Sequence, residues 1–350
     1  MTAKNKIIVL RFSAMGDVAM VASVLREFAE QNEKAELIMV SRKLFKPFFD
    51  HISPVIFHEI APKTVHRGIF GLFKLYRELK TYRPLAIADL HDNLRSRILC
   101  TFFRLAGIKI RRIDKGRAEK KALTRTENKI LKPLTPTVER YATVFRALGF
   151  SLKLSHQLQP NPLKLPKQAA IHFKDSHQKK IGISPFAQHH YKVYDLTKME
   201  VVINELSKLG YGLFIFGGGK NEAETAQHWQ SQYKNVYNTI GNFNLTEELA
   251  IISNLNLMLS MDSSGMHMAS LMGVPVISLW GPTHPYAGFL GYGQSENDCM
   301  QIAHPNRPNS IYGNKPCLCG VTPCIDLIEP QAIIEKIEQK LIHGKTTFNY

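Results

Sequence analysis

Residues 255–282 read Leu-Asn-Leu-Met-Leu-Ser-Met-Asp-Ser-Ser-Gly-Met-His-Met-Ala-Ser-Leu-Met-Gly-Val-Pro-Val-Ile-Ser-Leu-Trp-Gly-Pro. The apolar run 255–261 predicts a buried strand, and Asp262, Ser263 and Ser264 are residues that cap helix starts. Residues 266–272 predict a short helix, Gly273 its left-handed stop, and residues 274–280 a second buried strand ending at Gly281-Pro282. Strand, helix and strand at this spacing make a βαβ unit, so the two strands must run parallel with a right-handed crossover. The Asp262–Ser264 turn then lies at the carboxyl edge of a sheet, where open α/β folds bind ligands. Free N–H groups and the helix dipole make that turn an anion site, although a plain cap would use the same residues. Asp262 and His267 flank it. A carboxylate beside an anion site needs a hydrogen-bonding partner, and sugar hydroxyls suit it.

The same alternation extends in both directions. Residues 6–10 predict a strand, residues 11–17 a loop, and residues 18–30 a helix, the opening of a Rossmann-like half without the Gly-x-Gly-x-x-Gly fingerprint. Gly16 and Asp17 close that loop, where Asp17 is either a cap or a functional carboxylate. Strands are expected at 36–40, 55–58 and 85–90, the last delivering His91, Asp92, Asn93 and Arg95 to the carboxyl edge. In residues 66–80, Ile69, Leu72, Phe73 and Tyr76 fall at helical spacing and predict a core-facing stripe, with a membrane-surface helix as the alternative. Residues 109–140 are densely basic and read as a long loop with little core of its own. They form either a solvated face or a clamp for an acidic ligand. Residues 157–166 carry three prolines and read as a semi-rigid linker. A second half then repeats the pattern, with Ser184 ending its first strand, Gln188 and Lys192 in the loop that follows, and Glu222 at a helix start. The expected domains are 1–160 and 161–350, with the final helix free to pack back on the first.

The 350 residues suffice for two cores. With 45 Lys+Arg against 29 Asp+Glu, the net charge of +16 favours anionic partners without choosing among nucleic acid, membrane surface and phosphorylated substrate. The apolar run 7–10 is too short for a signal-peptide core and nothing approaches a membrane span, so a cytoplasmic protein is expected. Five cysteines fit a reducing compartment rather than a disulfide framework. Cys317, Cys319 and Cys324 invite a zinc reading, but the Cys-x-Cys spacing and the missing fourth ligand argue against metal.

Two stretches carry a resemblance. Residues 11–18, Arg-Phe-Ser-Ala-Met-Gly-Asp-Val, resemble the opening motif of the ADP-heptose:lipopolysaccharide heptosyltransferases, the family-nine glycosyltransferases. Residues 261–269 and 273–283 resemble their donor motif, in matching order. The resemblance implies two Rossmann-like domains facing across a cleft (a GT-B fold), inversion at the transferred sugar, and no cofactor or metal. It also implies ADP-heptose as donor and an acidic lipopolysaccharide inner-core sugar as acceptor, with peripheral contact at the inner membrane surface and no role for nucleic acid. By position Asp17 falls on the family's catalytic base. Gly16, Ser184, Gln188, Lys192, Glu222, Asp262, Ser263, Ser264, Gly265 and His267 fall on donor-binding positions. The acceptor is expected at Asp92, Arg95, Arg97, Arg111, Arg112 and Lys115, from their charge beside the first domain's carboxyl edge. The chain departs from the family pattern at Ser264, commonly glycine or alanine, and at Ser23, commonly proline. A nucleotide-sugar epimerase of the same layout would need more acid/base residues facing the cleft. A nucleic-acid-binding protein would explain the charge but leave Asp17 and the Asp262 turn without purpose.

Overall fold

The computed structural model describes residues 5–175 and 178–343. The chain divides into two compact units, residues 1–116 with 135–155, and residues 117–134 with 156–350.

The first unit holds β1 (Asn5–Leu10), α1 (Met15–Gln31), β2 (Ala35–Ser41), β3 (Val55–Glu59), α2 (Gly68–Lys80), β4 (Ala86–Asp89), α3 (Leu94–Leu105) and β5 (Lys109–Arg112). Its sheet is parallel with order β3-β2-β1-β4-β5. The β-branched run Ile7-Ile8-Val9 is fully buried because helices cover both faces of such a sheet. The strand order reverses between β1 and β4, which opens a crevice at their carboxyl ends. Two expectations change here. Helix α1 begins at Met15, so Gly16 and Asp17 sit in its first turn and not in a loop. On α2 the buried stripe is Leu72, Leu75 and Leu79, while Ile69, Phe70 and Phe73 stay exposed. The i, i+3, i+7 leucine row out-competes the aromatic one for the core.

Residues 109–140 are not a long loop. Lys109–Arg112 forms β5, where alternation exposes Lys109 and Arg111 and half-buries Ile110 and Arg112. The chain then leaves the first unit, and α4 (Arg117–Thr124) joins the second, its Leu123 packing with Leu134 and Ala287. In residues 109–134 the buried apolar residues Ile113, Leu123 and Leu134 are widely spaced among basic ones and leave no readable period. The chain returns to the first unit with α5 (Thr137–Leu148), whose Tyr141, Ala142 and Phe145 are fully buried.

The second unit holds α6 (Lys167–Ala170), β6 (Lys180–Ser184), α7 (Leu196–Lys208), β7 (Gly212–Ile215), α8 (Lys220–Gln232), β8 (Val236–Asn238), α9 (Leu245–Ile252), β9 (Leu257–Met261), α10 (Ser264–Leu271), β10 (Val276–Trp280), β11 (Cys299–Gln301) and α11 (Pro330–His343). The parallel order is β11-β10-β9-β6-β7-β8, with the reversal between β6 and β9. The β9-α10-β10 unit is as the sequence predicts, Met258 pairing with Val276. Gly273 has φ +74° and stands against the backbone of Gln159 and Pro160, leaving no space for a Cβ. The proline-rich stretch is therefore laid along the second unit, where Leu163 N–H donates to Ser253 Oγ at 2.9 Å. Ile333, Ile334 and Ile337 of α11 enter this unit's core, and α11 packs on α7. No helix among the described residues is long and apolar enough to cross a membrane.

Candidate functional site

In the first unit the β1–β4 crevice collects Arg11, Phe12, Asp17 and His91. The Asp17 carboxylate pairs with Arg11 Nη2 at 2.5 Å through Oδ2 and accepts the Ala14 N–H at 3.3 Å. Tyr141 hydroxyl, from α5, donates to Asp17 Oδ1 at 3.4 Å. Arg11 is itself fixed by donating Nη1–H to Leu90 O at 2.8 Å. The carboxylate is thus held from two strand ends and a helix, and its side chain remains 24% exposed. His91 accepts the Phe12 N–H at Nδ1, 3.1 Å away. Burial, then the Arg11 and Lys115 charges, push its pKa down to about 3, so the ring is neutral.

The competing carboxylates of this unit are occupied. Asp89 is fully buried, accepts the His91 and Asp92 N–H groups and Ser96 Oγ–H, and pairs with Arg112 Nε at 2.9 Å. Asp92 adopts a left-handed φ of +49° and accepts from Arg97 Nε at 2.8 Å, with Arg112 at 3.4 Å. Burial alone would raise the Asp92 pKa, but Arg97, Lys115 and Arg112 hold it below the usual carboxylate value. Lys115 Nζ donates to Asp92 O at 3.1 Å. Of the six residues expected at the acceptor, Asp92, Arg97, Arg112 and Lys115 converge in this network. Arg111 points the other way on β5, and its guanidinium donates to Ile110 O. Arg95 lines a groove with Ile69, Leu72 and Leu94 beside α2.

In the second unit the β6–β9 crevice brings together Ser184, Lys192, Asp262 and Gly265 of the expected donor residues. Ser184 ends β6, opposite Ser260 on β9. Ser263 is the N-cap of α10 with extended backbone, and its side chain makes no capping bond, so the first-turn N–H groups keep their anion-binding capacity. Gly265 lies so close to the Ser184 side chain that a Cβ would overlap it. Glycine here lets β6 and the α10 start approach each other. Lys192, in the short 3₁₀ turn His190–Lys192, reaches over to pair with Asp262 Oδ2 at 2.9 Å, the two side chains 14% and 8% exposed. Ser264 opens α10, His267 is buried in its first turn, and Gln188 is exposed in the loop after β6. Glu222, in the first turn of α8, folds back so that Oε2 accepts the Gly218 N–H at 2.7 Å.

The sequence pointed to Asp17 but not to the groups that hold it. Arg11 stood only at a strand end within the quoted motif, and Tyr141 comes from a helix 124 residues away. Nothing local marks such a partner.

The arrangement is one carboxylate fixed in the first unit and one anion-binding helix start with a neighbouring ammonium in the second. Comparison with known proteins gives the family. The profile of glycosyltransferase family 9 (heptosyltransferase) matches residues 72–313, more than half of the chain. The lipopolysaccharide core heptosyltransferase OpsX of Haemophilus influenzae is 25% identical over 81% of each chain. The lipooligosaccharide heptosyltransferase 2 of Haemophilus ducreyi is 24% identical over 80% of this chain and 84% of that one. A family 9 glycosyltransferase structure from Veillonella parvula aligns with a TM-score of 0.72 at 19% identity, over 98% of this chain and 99% of that one. The Escherichia coli ADP-heptose lipopolysaccharide heptosyltransferase II aligns at 0.68 and 16% identity, over 98% and 100%. These structural likenesses carry the fold, two parallel-sheet α/β units of the GT-B glycosyltransferase type. The chain belongs to glycosyltransferase family 9, the heptosyltransferases.

Proposed function

We propose that this glycosyltransferase moves a heptose from ADP-heptose to an inner-core sugar of lipopolysaccharide, with inversion at the transferred carbon. The observation that carries the reading is the Lys192–Asp262 pair beside the α10 start, in a chain of this family. The donor diphosphate takes the first-turn N–H groups of Ser264 and Gly265 and the Lys192 ammonium. Asp262, released from part of its pairing, accepts from the donor sugar's hydroxyls. Glu222 already accepts a backbone N–H, and its second oxygen serves the nucleoside. Asp17 accepts the proton of the attacking acceptor hydroxyl. Asp89 and Asp92 are less suited to that role, since their side chains are 0% and 8% exposed where that of Asp17 is 24% exposed. Arg97, Arg112 and Lys115 supply positive charge for an acidic acceptor, so the net charge is assigned to this substrate rather than to nucleic acid.

The enzyme works in the cytoplasm, with peripheral contact at an anionic membrane surface. Phe70 and Leu94 are 88% and 75% exposed and stand beside Arg67 and Arg95, an apolar and basic combination that suits such a surface.

ADP formation from ADP-heptose, measured with and without an inner-core acceptor, tests the reading. ADP should appear only with acceptor, and the product's anomeric configuration by NMR should be opposite to the donor's. Preferred turnover of a different nucleotide-sugar would overturn the donor assignment, and turnover without acceptor would overturn transfer.

A further inference from the structure

Residues 304–328 carry a sulfur cluster that the transfer chemistry does not use. Cys317 and Cys324 form a disulfide with their Cα atoms 6.2 Å apart, against the expectation of free thiols. A short loop returning on itself brings them within bridging range, which sparse spacing in the sequence does not reveal. The thiol of Cys319 lies 3.2 Å from Cys317 Sγ, and all three sulfur atoms fall within 4.8 Å of one another. A structural staple needs two cysteines. A third thiol in contact with one of the bonded sulfurs is the arrangement that exchange requires. Cys324 is fully buried beside Ile325 in the core, while Cys317 and Cys319 are half-buried. Burial raises the Cys319 pKa, and Arg307 and Lys129 pull it back toward the thiolate.

The cluster also ties two contacts with the Lys192 segment. Upstream, the Gly313 backbone lies against the Lys192 side chain, where a Cβ would overlap Cγ and Cδ. Downstream, Asp326 Oδ1 accepts the Asp195 N–H at 2.8 Å, and Asp326 O accepts from Lys198 Nζ at 2.7 Å. Between them Asn309 Nδ2 donates to Pro316 O at 2.6 Å and Asn306 Nδ2 to Leu318 O at 2.7 Å. The disulfide is the covalent tie between the two ends of this strap.

We infer that Cys317, Cys319 and Cys324 form a thiol–disulfide exchange site whose bonding pattern sets how firmly residues 304–328 hold Lys192. Cys319 loses its proton to solvent and its thiolate attacks Cys317 Sγ. A Cys317–Cys319 bond forms as the Cys317–Cys324 bond breaks. The electron pair leaves on Cys324, which takes up a proton. One disulfide and one thiol stand on each side, so the step needs no oxidant or reductant. The new disulfide closes locally and leaves the strap untied at Cys324.

The test maps thiols in the full chain purified without reductant. Protein held at mildly alkaline pH is acid-quenched, alkylated with N-ethylmaleimide in acidic guanidinium, and read by tandem mass spectrometry. Label should divide between Cys319 and Cys324, with the Cys324 share approached faster as pH rises. Cys319→Ser should keep Cys324 unlabelled. Label confined to Cys319 in the wild type would reduce the cluster to a staple and overturn exchange. Three reduced thiols with one equivalent of metal would overturn it in favour of a metal site. A second arm rests on the donor reading above. ADP affinity of Cys319→Ser should weaken roughly twofold or more when a phosphine opens the disulfide, within the coupling range for residues that touch no ligand. Equal affinity in both states overturns the strap's hold on Lys192. Absence of ADP binding in both states overturns that hold together with the donor assignment, while the thiol map still reports exchange by itself.

Discussion

Lys192 and Asp262 should behave as an ion pair in the free protein and as separate contacts once donor is bound. Their 2.9 Å separation and low exposure mean that Lys192→Ala strands a nearly buried carboxylate. Breaking a fully buried pair costs about 3–5 kcal/mol. Some solvent reaches both side chains here, so the loss should be about 2 kcal/mol. Removing both charges, as Lys192→Met with Asp262→Asn, leaves no stranded ion and should recover most of that stability. ADP affinity should not follow the same pattern. Lys192→Ala removes a charge-assisted hydrogen bond worth about 1.5–3 kcal/mol, roughly a 10- to 160-fold rise in Kd. The double variant should be as weak a binder as the single one. Asp262→Asn alone should bind ADP at least as tightly as the parent, because Lys192 is no longer shared, yet lose the preference for ADP-sugar over ADP. Isothermal titration with ADP and ADP-sugar, beside urea unfolding of the same four proteins, reads all of these. If affinity simply tracks stability, and the double variant restores both, Lys192 holds the loop and does not touch the diphosphate.

Other expectations follow from the same geometry. Asp17→Asn should cut turnover by roughly 10²–10⁴-fold with ADP affinity retained. Because the substitution also removes the Arg11 ion pair, unfolding should show a modest loss of stability; near-normal turnover would dismiss Asp17 as the base. His91 is neutral when folded, with its pKa pushed down to about 3, and ordinary at 6.5 when unfolded. Between those values the unfolded chain binds the extra proton, so stability falls as pH falls through that window, by up to about 1.4 kcal/mol per pH unit. His91→Gln keeps an acceptor for the Phe12 N–H and should flatten that limb of a stability–pH curve. An unaltered acid limb would rule His91 out as its source. Gly265→Ala forces the α10 start away from Ser184 and should cost about 1–3 kcal/mol with weakened ADP binding. Wild-type stability and affinity in that variant would mean the close approach is not needed.

What the sequence determined is the local alphabet of this protein. Runs such as Ile7-Ile8-Val9 and Leu257-Met258-Leu259, short and bounded by turn residues, read as strands buried on both faces, and each is followed by a helical stretch. That alternation forces parallel strands, crossovers of one hand and functional loops at the carboxyl edge, so Asp17 and the Asp262–Gly265 turn were legible before any coordinate. Period and capping act over a few residues, and a linear pattern records them faithfully.

Tertiary structure decided what depends on distant partners. The basic residues 109–132 share a sign in the sequence, but β5 alternation and a crossing of the chain separate them. Arg112 goes to Asp89, Arg111 to the opposite side, and Lys120 onto the Phe289 ring in the second unit. On α2 either row satisfies the helical period; the leucines joined the core with Ile8, Ile38 and Ile87 of the sheet, while Phe73 and Tyr76 lie against Phe102 and Phe103 of α3. Arg11 and Tyr141 became a support for one carboxylate, and His91 an acceptor for the Phe12 N–H, only when elements remote in the chain were laid side by side. Cys317 and Cys324 became bonded only when their loop closed. Charge pairing, burial and sulfur contact depend on distances through space, and a sequence orders residues only along the chain.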